Sequence, residues 1–264
     1  MTAANHTITR WVRFEHQGTT GFGTLAGDQV VVHHGDMFGA AQSTGQTLPL
    51  AGVALRAPAR PSKVIGLWNN YMALAAKLGL ADPAEPLYFL KSPGSVQHPG
   101  AAIVAPKGQG KIVFEGELAV VIGRRAKEVS EAQALDHVFG YTCVNDVTAA
   151  EVLNRDASFA QWSRAKSYDS FCPLGPCIAT GLDPAALSVK TYLDGQLRQD
   201  YPVADIRFSV PRLVSLLSHD MTLEPGDLIL CGTSVGVGSM KPGQTVEVEI
   251  EGIGRLTNRF ETAD

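Results

Sequence analysis

Glycine and proline interrupt this sequence throughout, with 27 glycines and 15 prolines among 264 residues. Both residues end regular elements, so their spacing predicts many short strands joined by turns. Asp194-Gly195, Pro225-Gly226 and Pro242-Gly243 mark three of these turns. The predicted strands outnumber the helices and do not alternate with them. The pattern therefore favours a strand-rich α+β fold over a doubly wound nucleotide-binding sheet.

The predicted elements divide the chain at a proline-containing linker, residues 55–62. Before it we predict short strands at 8–14, 21–25 and 30–33. After it we predict strands at 64–67, 112–122 and 138–147, a hairpin at 189–198, and helices at 71–80, 130–138 and 209–219. In the helix at 130–138, Ser130 is predicted to cap the first turn by accepting from its amides. The sequence thus predicts a small N-terminal β domain with its linker, residues 1–61, and a main domain, residues 62–264.

Composition excludes several classes of protein. The 22 basic and 26 acidic residues give a formal net charge of −4, so no basic excess is present to bind nucleic acid. No apolar run is long enough to span a bilayer, and the first residues lack the apolar core of a secretory signal. We therefore expect no membrane contact and a cytoplasmic location. The four cysteines lack metal-site spacing, which favours free thiols.

Two carboxylates, Glu115 and Glu117, lead directly into an apolar run at residues 118–122. Two residues apart on a strand, they share one face. Neighbouring carboxylates at the end of a buried strand repel each other unless a cation neutralises them. The same spacing recurs in residues 246–251, where strict alternation is typical of a half-exposed strand. The spacing alone is therefore compatible with a metal site or with an exposed face.

A third carboxylate, Asp146, ends the predicted apolar strand at 138–147. An aspartate there can form a turn or supply another oxygen ligand. Three carboxylates without histidine or cysteine suit a hard divalent ion, Mg²⁺ or Mn²⁺, better than zinc.

These acidic residues belong to a longer ordered set, which comprises Glu115-Gly-Glu117-Leu118, Gly140-Tyr-Thr142, Asn145-Asp146, Trp162, Lys166, Asp169, Leu223-Glu-Pro-Gly-Asp227 and Gly232-Thr233. Over residues 62–260 the set resembles the fumarylacetoacetate hydrolase superfamily. The resemblance implies a β-rich mixed roll with few short helices, assembled as a homodimer. It also implies cleavage, decarboxylation or isomerisation of a small 2-oxo acid, often from aromatic catabolism, with Mg²⁺ or Mn²⁺.

The resemblance assigns roles to individual residues. Lys166 is the implied catalytic residue, the implied metal ligands are Glu115, Glu117 and Asp146, and the implied substrate-binding residues are Lys91, Gly232, Thr233 and Tyr71. The chemistry agrees, because a metal chelated by a 2-oxo acid stabilises its enolate and a nearby ammonium adds positive charge. Without the resemblance, Lys91 and Lys166 could equally be solvated surface lysines.

One motif departs from the superfamily. Hydrolytic members carry a lid segment Asn-Tyr-x-x-His-x-x-Glu, in which the histidine activates water as a general base. Here the segment begins at Asn70, and the histidine and glutamate positions are Leu74 and Lys77. Leucine cannot accept a proton. His98 or His137 could replace the missing base only if the fold brings it close.

The sequence is compatible with three functions. The first is a metal-dependent enzyme that cleaves the C–C bond beside an oxo group by hydrolysis or decarboxylation. The second is an isomerase that moves a proton between enol and oxo forms, with Lys77, Lys166 or a metal-bound water as carrier. The third is a catalytically silent binding protein. The intact set of three carboxylates and Lys166 argues against the third.

Overall fold

The computed structural model describes residues 7–263, in which strands dominate. The α-helices are α1 (Met72–Leu78), α2 (Ala150–Leu153), α3 (Trp162–Lys166) and α4 (Val210–Asp220). The strands are β1 (Thr9–His16), β2 (Thr19–Ala26), β3 (Gln29–Gly35), β4 (Ala41–Pro49), β5 (Ala54–Arg56), β6 (Val64–Trp68), β7 (Leu87–Lys91), β8 (Val96–Gln97), β9 (Ile103–Ala105), β10 (Ile112–Phe114), β11 (Gly116–Ile122), β12 (Val138–Asn145), β13 (Thr148–Ala149), β14 (Cys172–Thr180), β15 (Ser188–Leu193), β16 (Gln196–Pro202), β17 (Leu228–Leu230), β18 (Gly238–Ser239), β19 (Thr245–Ile250) and β20 (Gly254–Thr262).

The strands form three sheets. The largest has twelve strands in the order β4-β3-β2-β1-β14-β12-β11-β17-β6-β7, with β5 paired to β1 and β8 paired to β14. A five-stranded sheet has the order β16-β15-β19-β20-β9, and a three-stranded sheet has the order β13-β10-β18. Most pairs are antiparallel, and β6 with β17 is one of the parallel pairs. The predicted strand-rich α+β fold with few short helices is confirmed.

Strand β11 lies at the centre of the molecule, and all seven of its residues are buried. Its side chains alternate between two apolar clusters. Leu118 and Val120 pack in the cluster that contains Val248 of the five-stranded sheet. Ala119 and Val121 pack in a cluster on the opposite face. A strand covered on both faces has no polar alternation, which is why this run is apolar in the sequence.

The predicted strand at 112–122 is wrong at one position, because the chain changes sheets at Glu115. Strand β10 before it belongs to the three-stranded sheet, and β11 after it belongs to the largest sheet. The N–H of Glu115 donates to the side-chain Oδ1 of Asn145 at 2.9 Å instead of to a neighbouring strand. Gly116 follows, where an added Cβ would lie 2.0 Å from Thr191 Oγ1. The close approach of the two sheets therefore requires glycine.

Two other predictions need correction. The predicted helix at 130–138 is a 3-10 helix, Glu131–His137, and the Ser130 hydroxyl donates to Gln133 Oε1 at 2.7 Å instead of accepting from the first-turn amides. The predicted linker at 55–62 begins inside β5, which pairs with β1.

Strand β4 was not predicted, because its residues are largely polar and exposed and carry no alternation. It forms because β3 offers it an edge to pair with.

Several local predictions are confirmed. Helix α4 begins after Ser209, whose side chain accepts from the N–H of Arg212 at 3.4 Å. The hairpin of β15 and β16 turns at Asp194 and Gly195, which have φ values of 50° and 75°.

The N-terminal strands continue the main sheet, since β1 pairs with β14 through Trp11 and Ile178. The division at residue 61 stays a prediction. Among residues 7–263, no helix is long and apolar enough to cross a membrane.

Asp227 holds together the starts of two parallel neighbours, β6 and β17. Its fully buried carboxylate accepts from the N–H groups of Ser62 (2.8 Å), Lys63 (2.9 Å) and Glu224 (2.8 Å). It also accepts from the Ser62 hydroxyl at 2.7 Å and pairs with Lys63 Nζ at 2.7 Å. One side chain therefore satisfies donors from the segments that precede both strands.

We expect Asp227→Ala to lower the free energy of unfolding by about 1–3 kcal/mol, the cost of leaving buried donors without an acceptor. Urea unfolding measures the change. The matched control is Asp200→Ala, which removes an exposed carboxylate from β16 and should change stability by less than about 0.5 kcal/mol. Equal effects of the two variants would contradict the role assigned to Asp227.

Candidate active site

Three carboxylates converge at the point where the chain changes sheets. Glu115 lies between β10 and β11, Glu117 lies in β11, and Asp146 follows β12. Antiparallel pairing aligns Gly116 with Asn145, and the N–H of Asp146 donates to the carbonyl of Glu115 at 2.8 Å. One oxygen of each carboxylate lies within 4.8 Å of an oxygen of both others. The register of two adjacent strands therefore builds the cluster.

Burial and neighbouring charges shift the pKa values of the three carboxyl groups. Glu117 and Asp146 are 1% exposed, while the side chain of Glu115 keeps 16% of its surface accessible. Burial raises the pKa of Glu117 well above its usual range, and the charges of Asp146 and Glu115 raise it further. Burial likewise raises the pKa of Glu115. The pKa of Asp146 is lowered, because Lys166 and Lys91 outweigh the opposing effect of burial.

Two buried lysines pair with the carboxylates. Lys166, the last residue of α3, places Nζ 2.9 Å from Glu115 Oε2 and 2.6 Å from Asp146 Oδ2. Lys91, the last residue of β7, places Nζ 2.5 Å from Asp146 Oδ1. Burial lowers the pKa of Lys166, but the charges of Asp146, Glu115 and Glu117 outweigh burial and raise it overall. Neither lysine is a solvated surface residue.

An aromatic wall covers Lys166. Its Nζ lies 4.9 Å from the ring centroid of Phe89. The ring of Trp162 stacks on Phe89 with centroids 5.3 Å apart, and Trp68 contacts Trp162 at 5.2 Å. These rings limit the directions in which the ammonium can move.

The Gly232-Thr233 loop contacts the same cluster. The N–H of Gly232 donates to Glu117 Oε2 at 2.8 Å, and φ of Gly232 is 89°, which favours glycine. The hydroxyl of Thr233 donates to the carbonyl of Gly116 at 3.1 Å. The loop thus lies beside the carboxylates, and its glycine amide orients one of them.

Gln199 and Tyr201 support this loop from β16, and the sequence did not predict either of them. The side chain of Gln199 accepts from Gly116 N–H at 3.0 Å and donates to Thr233 Oγ1 at 2.8 Å. The hydroxyl of Tyr201 donates to the carbonyl of Gly116. Both side chains are buried on one face of a strand whose other residues are mostly exposed. That alternation marks them as inward-facing, but it does not identify what they contact.

Several buried polar atoms near the cluster have no hydrogen-bond partner within residues 7–263, and two of them flank the carboxylates and the lid segment. One is the hydroxyl of Tyr71, whose ring packs edge-on against Tyr201 at 4.8 Å. The other is the side-chain Nδ2 of Asn145, the residue before Asp146. Buried polar atoms are nearly always satisfied, so unpaired ones beside a charged cluster point to a missing ligand.

Family models match almost all of the described chain. The model for the fumarylacetoacetate (FAA) hydrolase C-terminal domain matches residues 63–261. The chain belongs to the fumarylacetoacetate hydrolase family. A second model, Rv2993c-like N-terminal, matches residues 9–58.

The relatives of this chain include one protein whose name states two activities. The chain is 44% identical over 224 residues to protein Rv2993c of Mycobacterium tuberculosis, covering 84% of this chain and 83% of that one. It is 42% identical over 200 residues to the 4-hydroxyphenylacetate degradation bifunctional isomerase/decarboxylase of Escherichia coli, covering 75% of this chain and 46% of that one.

Solved structures of the family match over nearly the whole chain. The 5-carboxymethyl-2-hydroxymuconate delta-isomerase of Mycobacterium smegmatis has a TM-score of 0.90 at 39% identity, covering 96% of this chain and all 100% of that one. The maleylpyruvate hydrolase of Sphingobium sp. SYK-6, solved with manganese(II) and pyruvate, has a TM-score of 0.79 at 27% identity, with coverage of 97% and 100%.

The residues of this fumarylacetoacetate hydrolase family member fit a divalent ion. All three clustered groups offer carboxylate oxygens, the ligands that Mg²⁺ and Mn²⁺ prefer. The buried cluster contains one more acidic group than basic groups, three carboxyl groups against the two lysines. A divalent cation would compensate the charge of these buried acidic groups.

The segment that replaces the family's lid motif is α1 with its preceding residues. Asn70 donates its side chain to Cys231 O at 2.8 Å, which ties the start of the segment to the Gly232-Thr233 loop. Leu74 is half-buried against the main apolar cluster, and Lys77 is exposed. A side chain that packs in the core takes the position of the usual general base.

No histidine replaces that base in the described part of the chain. His98 accepts from the N–H of Ala57 at 3.1 Å, and His137 contacts the carbonyl of Arg125 at 3.0 Å. None of the histidines there hydrogen-bonds to the three carboxylates or the two lysines.

Proposed function

We propose that this protein is a divalent-metal-dependent enzyme that enolises a small 2-oxo acid and cleaves the adjacent C–C bond. The observation that carries the proposal is the buried cluster of three carboxylates with Lys91 and Lys166 in direct contact. Such a cluster is costly to bury and adds little to stability, so a chemical role explains it better than a structural one.

The side chains of the site have separate roles in this reaction. Glu115, Glu117 and Asp146 would hold Mg²⁺ or Mn²⁺, which supplies Lewis-acid stabilisation of an enolate. Lys166 holds a proton at Nζ beside two of these carboxylates and places positive charge where the oxo group gains negative charge. The buried hydroxyl of Tyr71 has no partner within residues 7–263 and would donate to the substrate.

Decarboxylation fits these residues better than hydrolysis. Hydrolysis needs an activated water, and Leu74 cannot activate one. Decarboxylation needs a group that accepts the electron pair left behind by carbon dioxide, and then a proton for the carbon that has lost it. The similarity to the bifunctional isomerase/decarboxylase of Escherichia coli supports this choice.

Isomerisation between enol and oxo forms of an unsaturated dicarboxylic acid is the second candidate. The similarity to the Mycobacterium smegmatis isomerase favours it. Lys166 would carry the proton, while Lys77 is exposed on α1. Assays with oxaloacetate, an acylpyruvate and an unsaturated 2-oxo diacid separate these reactions. Failure to convert any of them with Mg²⁺ or Mn²⁺ would leave the silent binding protein as the better answer.

Metal removal is expected to abolish activity, and Mg²⁺ or Mn²⁺ should restore it. Glu117→Ala removes one of three charged ligands and should weaken metal binding about tenfold or more, since one charge-assisted contact contributes about 1.5–3 kcal/mol. Calorimetric titration with MnCl₂ measures the affinity. The control is Glu251→Ala, which removes an exposed carboxylate that follows β19. Unchanged affinity in Glu117→Ala would rule the site out.

We also propose a homodimer in the cytoplasm that takes part in aromatic catabolism, as the family resemblance implies. Light scattering at micromolar protein concentration tests the assembly. A mass near the 28.1 kDa of one chain would contradict it.

A further inference from the structure

A second charged cleft lies beside the N-terminal strands. Its cavity volume is about 450 Å³. Arg13 of β1, Arg56 of β5 and Arg60 line it together, with Glu15 and His98. None of the three carboxylates or two lysines of the candidate active site lines this cleft. It is therefore a separate concave surface with its own charge.

The arginines outnumber the acid that could neutralise them. Arg56 pairs with Glu15. Arg13 donates Nη1 to the carbonyl of Ala57 at 2.9 Å, which fixes its guanidinium against the segment before Arg60. Among residues 7–263, neither Arg13 nor Arg60 forms an ion pair. Two guanidinium groups therefore face one cleft without a carboxylate of their own.

The three arginines of the cleft are close enough to repel one another. Burial lowers the pKa of Arg13, and the nearby charges of Arg60 and Arg56 lower it further. Like charges held close together are unfavourable unless an anion binds between them. Guanidinium groups present planar pairs of donors that match carboxylate and phosphate oxygens.

His98 adds a donor without adding charge. Burial lowers its pKa, and the charges of Arg56, Arg13 and Arg60 lower it further against the opposing charge of Glu15, which favours the neutral ring. Its Nδ1 accepts from the N–H of Ala57 at 3.1 Å. In a neutral ring the proton then lies on Nε2, which leaves that atom as a donor. The polar side of the cleft is thus rich in donors.

A second cavity shares residues with the charged one. Its volume is about 520 Å³, and Arg13 and Arg60 line both cavities. Phe22, Met37 and Phe38 line the second cavity, together with Asp36, whose Oδ1 accepts from the N–H of Phe38 at 3.0 Å. The two cavities together therefore combine cationic donors with aromatic surface.

We propose that this cleft binds a small organic anion, with its carboxylate or phosphate between Arg13 and Arg60 and its apolar body against Phe22 and Phe38. This cleft is independent of the candidate active site, because the two share no charged residue. Its position against the main sheet suits an effector or a second ligand of the enzyme.

Calorimetry on the full-length, Mg²⁺-loaded protein tests the proposal with benzoate, phenyl phosphate and inorganic phosphate. We expect phenyl phosphate or benzoate to bind more tightly than inorganic phosphate, because only the first two carry an apolar body. The preferred head group distinguishes carboxylate from phosphate ligands. Arg60→Gln should weaken binding of the preferred probe about tenfold, since a charge-assisted contact is lost.

Two variants make the outcome decisive. Arg124→Gln removes an exposed arginine elsewhere and should leave probe binding unchanged. Glu117→Ala alters the candidate metal site and should also leave it unchanged. No binding of any probe below ~10 mM would overturn the proposal. So would binding that is lost in Glu117→Ala but kept in Arg60→Gln, because the anion would then occupy the metal site.

Discussion

Leu74→His combined with Lys77→Glu is expected to raise acylpyruvate hydrolysis by about a hundred- to ten-thousand-fold, the usual contribution of a placed general base. The two side chains restore the His-Glu pair that hydrolytic members of the family carry. Leu74 follows Tyr71 by three residues, and Tyr71 packs against Tyr201 beside the carboxylate cluster. A histidine one turn into α1 is therefore close to the residues that would bind substrate.

The same variant should leave enolisation of pyruvate nearly unchanged, as followed by solvent deuterium exchange. Enolisation depends on the carboxylates and Lys166, and only hydrolysis needs an activated water. The matched control is Ala76→His with Lys77→Glu, since Ala76 is exposed on the same helix. A wild-type protein that already hydrolyses acylpyruvates as fast as the variant would show that another base exists.

Lys166→Met is expected to reduce kcat by about a hundred- to a thousand-fold, which is the typical loss of one group that stabilises developing negative charge. The methionine keeps the apolar length of the side chain but removes the ammonium that contacts Glu115 and Asp146. It also leaves buried carboxylates with less compensation, so the metal-free protein should unfold at a lower temperature.

Two measurements separate the chemical effect from instability. The Mg²⁺-loaded variant should regain much of its melting temperature, because added positive charge compensates the carboxylates, while kcat stays low. Lys190→Met, which removes an exposed lysine from β15, should change neither quantity. Near wild-type kcat in folded Lys166→Met would show that Lys166 has only a structural role.

The sequence alone determined the strand-rich fold and the order of the acidic residues. The burial of strand β11 could be predicted because a strand covered on both faces needs apolar residues at every position, and the sequence shows that apolar run. The turn at Asp194 and the cap at Ser209 were equally predictable, because each depends on interactions within a few residues. The missing base at Leu74 was visible because it is a substitution within a short motif.

Tertiary structure decided what surrounds the three carboxylates. Lys91 and Asp146 are 55 residues apart in sequence, and Gly116 and Gln199 are 83 apart. Contacts between residues so far apart in sequence produce no periodic pattern, so the sequence could not predict them. The change of sheet at Glu115 also depends on a side chain of another strand, Asn145.

The charged cleft beside the N-terminal strands likewise could be found only from the tertiary structure. Arg13, Arg56 and Arg60 are unremarkable as separate residues in the sequence, and the pairing of β5 with β1 brings the first two together by placing Arg13 opposite Arg56. Periodicity and turn chemistry act over a few residues, so the sequence determines which elements form. Charge clusters arise from strand register between distant segments, so only the folded chain determines which charges meet.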